Sequence, residues 1–194
     1  EKQNAMACAR SGGSCSIGSK AFAIAGGQLD IHAIDDGCPT WTKLKSLNEA
    51  KTEITLADPA AAACWAPGAE LLFTSDDVGW PGKAQVATVA SVSGETITLT
   101  APLERKVTAI DHGYGDVFAV EVALLTRRVT FEPEDNTGLI GGHTIVLHTP
   151  HVAQTLQGVE FRRFGQQGNL GRYPVHFHMS ESVYGSVVSK NLVR

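Results

Sequence analysis

Thr155-Leu156-Gln157-Gly158-Val159-Glu160-Phe161 is one of a series of short apolar runs separated by Gly, Asn and polar corners, and that series decides the fold. Before it come Val120 to Leu125, Arg128 to Phe131 and His143 to Leu147; after it come Val175 to Met179 and Ser186 to Val193. Spacings of roughly a dozen to eighteen residues without an intervening helix suit a chain that coils as a solenoid of short strands. A right-handed parallel β-helix is the natural candidate, with each strand stacked on the one a turn earlier. The irregular period leaves a β-sandwich as the alternative. The chain stops inside a strand-like run, Asn191-Leu192-Val193-Arg194, without a polar cap. Open solenoid ends need capping, so the expectation is a β-helix truncated at its C-terminal side.

Upstream, from about Phe22 to Val107, apolar alternation is broken by turn chemistry. Gln28-Leu29-Asp30-Ile31-His32 and Glu53-Ile54-Thr55-Leu56 alternate, and Pro67-Gly68 precedes the apolar Ala69 to Phe73. Ser93-Gly94-Glu95 joins two runs as a hairpin turn. Only Leu44 to Lys51 has a helical composition. The fold class expected is therefore all-β, with a β-rich N-terminal domain over 1–117 and the start of a right-handed parallel β-helix over 118–194.

The chain is 43% apolar and 19% charged, the composition of an ordinary globular protein, and its net charge is −4. That charge excludes a global basic field, so a polyanion must be held by a local patch and nucleic acid is not the expected partner. Cys8, Cys15, Cys38 and Cys64 form no C-x-x-C pair. An even, clustered set without metal spacing fits two disulfides, with three pairings open, and an oxidising, extracellular setting.

The chemistry concentrates in Gly171-Arg172-Tyr173-Pro174-Val175-His176-Phe177-His178-Met179. Residues two apart on a strand share a face, so with Val175, Phe177 and Met179 inward, His176 and His178 are expected to face solvent together, Cβ atoms roughly 6 to 7 Å apart. Such a pair can hold a divalent metal with a further ligand, move protons, or grip an anion beside Arg172. His143, after Gly141-Gly142, is a candidate third imidazole; the plainer reading makes it a corner or surface residue. Arg162, Arg163 and Arg172 stand against a single Glu160 between residues 160 and 179, a local basic patch suited to a carboxylate-bearing sugar chain. Trp41, Trp65 and Trp80 stack on sugar rings where exposed and pack in cores otherwise.

Several segments together resemble a known family. Gly26-Gly27-Gln28-Leu29-Asp30-Ile31-His32, Trp65-Ala66-Pro67-Gly68-Ala69-Glu70, Glu121-Val122-Ala123-Leu124-Leu125-Thr126-Arg127, Gly141-Gly142-His143 and Leu170 to Met179 occur in its order. The family joins an eight-glycine extracellular domain to a parallel β-helix and includes the cell-migration-inducing hyaluronan-binding and fibrocystin-like proteins. The resemblance implies an eight-glycine-type domain within 1–117 and a secreted protein or the ectodomain of a membrane-anchored one. It also implies binding of a hyaluronan-like glycosaminoglycan, with depolymerisation by hydrolase or lyase chemistry in some members. Other members imply a different role, a non-catalytic cell-surface or matrix building block with adhesion partners. For the enzymatic reading, Arg172 positions a uronate carboxylate, Arg162 and Arg163 extend the binding surface, and His176 or His178 acts as general acid or base.

Overall fold

The computed structural model describes residues 17–35, 37–77, 83–114, 117–135 and 138–194. Cys8, Cys15 and Trp80 lie outside these. In chain order the strands are β1 (Ala21–Ala25), β2 (Asp30–His32), β3 (Trp41–Leu47), β4 (Glu53–Leu56), β5 (Glu70–Phe73), β6 (Gln85–Ser93), β7 (Thr96–Leu99) and β8 (Glu121–Leu124). They continue with β9 (Val129–Phe131), β10 (His143–Leu147), β11 (Thr155–Gln157), β12 (Val159–Phe161), β13 (Phe177–His178), β14 (Val187–Ser189) and β15 (Leu192–Val193). One short helix, α1 (Pro59–Cys64), lies between β4 and β5. The chain divides into two compact units, residues 35–126 and residues 1–34 with 127–194.

The first unit is a closed antiparallel barrel in the order β3-β4-β7-β6-β5-β8. Period-2 alternation sends Ile54 and Leu56, Leu71 and Phe73, Ile97 and Leu99, and Val122 and Leu124 inward, all buried. In β3 the buried Leu44 and Leu47 are three apart because the pairing with β4 shifts between Leu44 and Ser46. A bulge there restores the inward face after one extra residue. Closure leaves no edge strand to protect.

The segment with helical composition, Leu44 to Lys51, is instead the end of β3 and a turn. Asn48 Oδ1 accepts from the backbone N–H groups of Thr52 (2.9 Å) and Glu53 (3.1 Å), and that side-chain bond favours a turn over a helix. Among the described residues the α-helix is α1, where Asp58 caps the N–H of Ala60 at 2.9 Å and Pro59 opens the first turn. Its last residue, Cys64, is disulfide-bonded to Cys38. The next, Trp65, is fully buried and donates its indole N–H to Pro39 O at 2.8 Å.

The second unit contains three parallel sheets of three strands each: β1-β10-β13, β2-β11-β14 and β9-β12-β15. Ala33, Leu156, Val159 and Phe161 form its buried core, with Ile31, Val129, Phe131 and Phe164 packed against it. Phe22, Phe131 and Phe161 stack in sequence, with ring centroids 5.1 and 5.6 Å apart. Gly158, at φ 71°, turns the chain between β11 and β12, which belong to different sheets.

These pairings correct the expected architecture. All-β holds, but no right-handed parallel β-helix is shown. The β-rich first stretch closes on itself as a barrel, and β8, expected in the coil, completes it between β3 and β5. The strands of the second unit are two to five residues long and take β1 and β2 from the start of the chain, Ala21 pairing with His143 and Ile31 with Leu156.

Candidate functional site

β10 is the middle strand between β1 and β13, and its run His143 to Val146 is buried throughout, as expected for a strand enclosed by parallel neighbours. The segment after Arg172 is tied to it. Thr144 N–H donates to Tyr173 O and its hydroxyl to Pro174 O, while Val146 N–H donates to His176 O at 2.8 Å. Ser180 Oγ closes the same strand by donating to Val146 O at 3.0 Å.

This places the expected imidazole pair together. The rings of His176 and His178 stand 5.1 Å apart and nearly perpendicular, and Tyr173 meets His176 edge-on at 5.2 Å. The expected outward, solvent-facing orientation does not hold: both residues are half-buried, and His178 Nε2 is shielded without a hydrogen-bond partner. His176 Nδ1–H donates to Gly171 O at 2.9 Å, leaving the lone pair on Nε2. Burial lowers the His176 pKa most; the backbone bond to Gly171 opposes this, and the His178 and Arg172 charges add to it. His176 is therefore a neutral imidazole at physiological pH.

His143 is not the corner or surface residue of the plainer reading. It is fully buried on β10, and its Nε2–H donates to Ile17 O at 3.0 Å while Nδ1 has no partner. Burial, then the charge of Arg172, and less strongly that of His176, push its pKa down against the Ile17 bond. Three imidazoles and one guanidinium thus share a neighbourhood. A metal is another matter: among the described residues no group of three or more His, Cys, Asp or Glu side chains is arranged to hold one. The His176–His178 pair does not fit a metal centre as it stands.

Beside these residues lies an open cleft of 720 Å³. Its floor and rim come from 164–174, with Leu139 on one side. Gln166 N–H donates to Arg172 O, Asn169 N–H to Gln166 O and Arg172 N–H to Asn169 O, so successive turns set the loop's shape. Gly165, Gly168 and Gly171 all have φ above 80° or at it, which this tight path requires. The cleft is lined by Arg172, Tyr173, the exposed Gln167 and Asn169, and Leu170, with the Arg172 guanidinium lying close to Gly18.

Arg162 and Arg163 have other engagements. Glu160, 2% exposed on β12, binds Arg162 through both carboxylate oxygens (3.0 and 3.1 Å), Arg194 at 2.7 Å and the Thr130 hydroxyl at 3.1 Å. Burial works to raise the Glu160 pKa, but these hydrogen bonds outweigh it and hold the carboxyl below its ordinary value. Arg163 pairs with Glu132 at 3.5 Å, and Arg162 also approaches Glu132 at 3.7 Å. A count of charges between residues 160 and 179 misses Glu132 because it follows β9, three strands earlier in the chain but paired with β12 in the sheet.

Residues 139–194 match the CEMIP beta-helix family model. That span contains the cleft, β10 and both half-buried imidazoles. Over the longer chain, the similarity is to G8 domain-containing proteins: one of Dictyostelium discoideum is 32% identical, the match covering 89% of this chain and 15% of the relative. Human fibrocystin-L is 28% identical over 91% of this chain and 5% of its own length. The chain therefore spans a small fraction of the relatives it matches. Among solved structures, the tailspike protein gp49 of Pseudomonas phage LKA1 has 12% identity and a TM-score of 0.33, covering 72% of this chain and 22% of its own, too slight a likeness to build on. The eight-glycine resemblance read from the sequence agrees with the G8 relatives. What sequence reading missed inside the CEMIP-matched span is the buried carboxylate of Glu160, hidden in an ordinary Val-Glu-Phe run, and the cleft itself, whose signal was the close spacing of Gly165, Gly168 and Gly171.

Proposed function

We propose that this chain is part of an extracellular protein that binds an acidic polysaccharide of the hyaluronan type through the cleft at 164–174. The observation that carries the reading is the lining of that cleft: one arginine, one tyrosine and two exposed amide residues on a fixed loop. A guanidinium matches a uronate carboxylate, a tyrosine ring takes the apolar face of a sugar, and amides read hydroxyl and acetamido groups. The Cys38–Cys64 disulfide and the similarity to G8 and fibrocystin-L proteins support the extracellular setting. Among the described residues no helix is long and apolar enough to cross a membrane.

Where the bound chain is cleaved, His176 is the proton-transfer group this neighbourhood offers, since it is neutral and keeps its Nε2 lone pair. The second reading, a non-catalytic matrix or adhesion element, is favoured by a different observation. Arg162, Arg163 and Arg194 are committed to Glu160 and Glu132, a use of charge that fixes structure rather than recruits ligand.

Calorimetric titration with hyaluronan oligosaccharides, together with the chain length of hyaluronan after incubation, tests both. Arg172→Ala should weaken binding at least tenfold while leaving the melting temperature within a few degrees. Shortening that disappears in the His176→Ala/His178→Ala double variant assigns turnover to the pair; binding without shortening selects the adhesion reading. Unchanged affinity in Arg172→Ala removes the cleft from recognition.

A further inference from the structure

The outer face of the barrel carries a cross-strand row that the cleft does not explain. Trp41 on β3 pairs with Ala123 on β8, Ala123 with Leu72 on β5, and Leu72 with Val86 on β6. Directly opposed residues of antiparallel strands share a face, and in each strand the neighbours of these four are the inward ones: Thr42, Val122, Phe73 and Gln85 are buried. The row itself is open to solvent at both ends, Trp41 being 58% and Val86 56% exposed. One residue further along the same face it is bordered by Lys43, Glu121 and Thr74, and on the other side by Glu70 and Thr88.

We propose that this row is a second saccharide site, a stacking platform on which a pyranose chain lies with its C–H face against Trp41, Ala123, Leu72 and Val86 and its hydroxyls toward the polar borders. The dimensions select that occupant. Strand spacing makes the row about 14 Å long, and same-face residues along a strand are about 7 Å apart, so its area is on the order of 100 Å². A protein partner needs about 800 Å². A membrane surface needs basic flanks, whereas here Lys43 is opposed by Glu121 and the far border carries Glu70. A sugar chain is narrow, apolar on its ring faces and hydroxylated at its edges, which matches a one-residue stripe between polar rows. The negative face of the indole attracts the partly positive C–H groups of such a ring. Because no cationic group is needed, the platform should accept neutral sugars as readily as acidic ones, which separates it from the Arg172 cleft.

The test uses the full chain with neutral chitohexaose and a hyaluronan hexasaccharide as probes, read by calorimetry and by tryptophan emission. Trp65 is fully buried and gives a constant background, and a Trp80→Phe background leaves Trp41 as the reporting indole. Chitohexaose should bind and shift the emission; Trp41→Ala should weaken that binding at least tenfold, Trp41→Phe should hold it within about threefold, and Arg172→Ala should leave it unchanged. Because the platform takes acidic chains as readily, Arg172→Ala should retain hyaluronan binding at about the chitohexaose affinity, and complete loss of hyaluronan binding in that variant would overturn the platform. No chitohexaose binding, or equal binding in Trp41→Ala with an unaltered melting temperature, overturns the platform. So does concentration-dependent self-association that Trp41→Ala abolishes, since the row would then belong to a protein contact.

Discussion

His143 sits in the middle sheet strand with one nitrogen committed to Ile17 O and the other without a partner, so a second proton has nowhere to be stabilised. The groups that face it are Arg172 and His176, both of which repel added positive charge. Its folded pKa lies below the ordinary 6.5, so on acidification the unfolded chain takes up a proton before the native state does. Stability is then complete above about pH 6.5 and falls as the pH drops through that value toward the folded pKa. Urea unfolding at pH 7.5 and 5.5 should show the loss, with hydrogen exchange locating it in β10. His143→Leu should flatten part of this acid limb while costing about 1 kcal/mol at neutral pH through the orphaned Ile17 carbonyl. The remaining slope belongs to His176, whose pKa is lowered in the same direction. A variant with an undiminished acid limb would exclude His143 as its source.

Gly158 shows how an element boundary is built. It holds φ 71° between β11 and β12, and a Cβ added there would meet Ile34 Cγ2 at 2.4 Å and the Ile34 backbone nitrogen at 2.9 Å. Gly26, between β1 and β2, has the same φ of 71° and nothing within 4 Å of the same position. Gly26→Ala therefore measures the backbone cost alone, about 1 kcal/mol, and Gly158→Ala adds a clash with main chain that cannot move aside, for roughly 3 kcal/mol in all. Denaturant midpoints of the two variants check the difference; equal losses would mean that Ile34 yields freely. The positions of β9 through β15 were legible in the sequence because such glycine corners and short apolar runs mark them locally. Their partners were not. Ala21 meets His143 and Asp30 meets Thr155 across more than a hundred residues, and no local pattern encodes which runs align. The barrel was hidden for the same reason: alternation identifies an inward face but not whether the last strand returns to the first. The imidazole pair was legible from its spacing, while the burial of His143 was not, since a fully enclosed strand shows no alternation to read.

Across the whole molecule, redox state and acid should act on different units. The Cys38–Cys64 bond closes a loop of 26 residues within 35–126 and anchors α1 beside the buried Trp65. Removing a cross-link of that span costs about 3.5 kcal/mol in the chain-entropy account. Trp41, Trp65 and Trp80 all fall within residues 35–126, so tryptophan emission reports that unit and no other. A Cys38→Ala/Cys64→Ala variant should therefore unfold at lower temperature when followed by fluorescence, while the pH-dependent exchange of β10 amides, which belong to the other unit, keeps its midpoint. Emission-detected unfolding that ignores the cross-link would show that α1 and Trp65 are held by packing alone. A shift of equal size at β10 would show that the two units unfold together, and the acid response of His143 would then extend to the barrel as well.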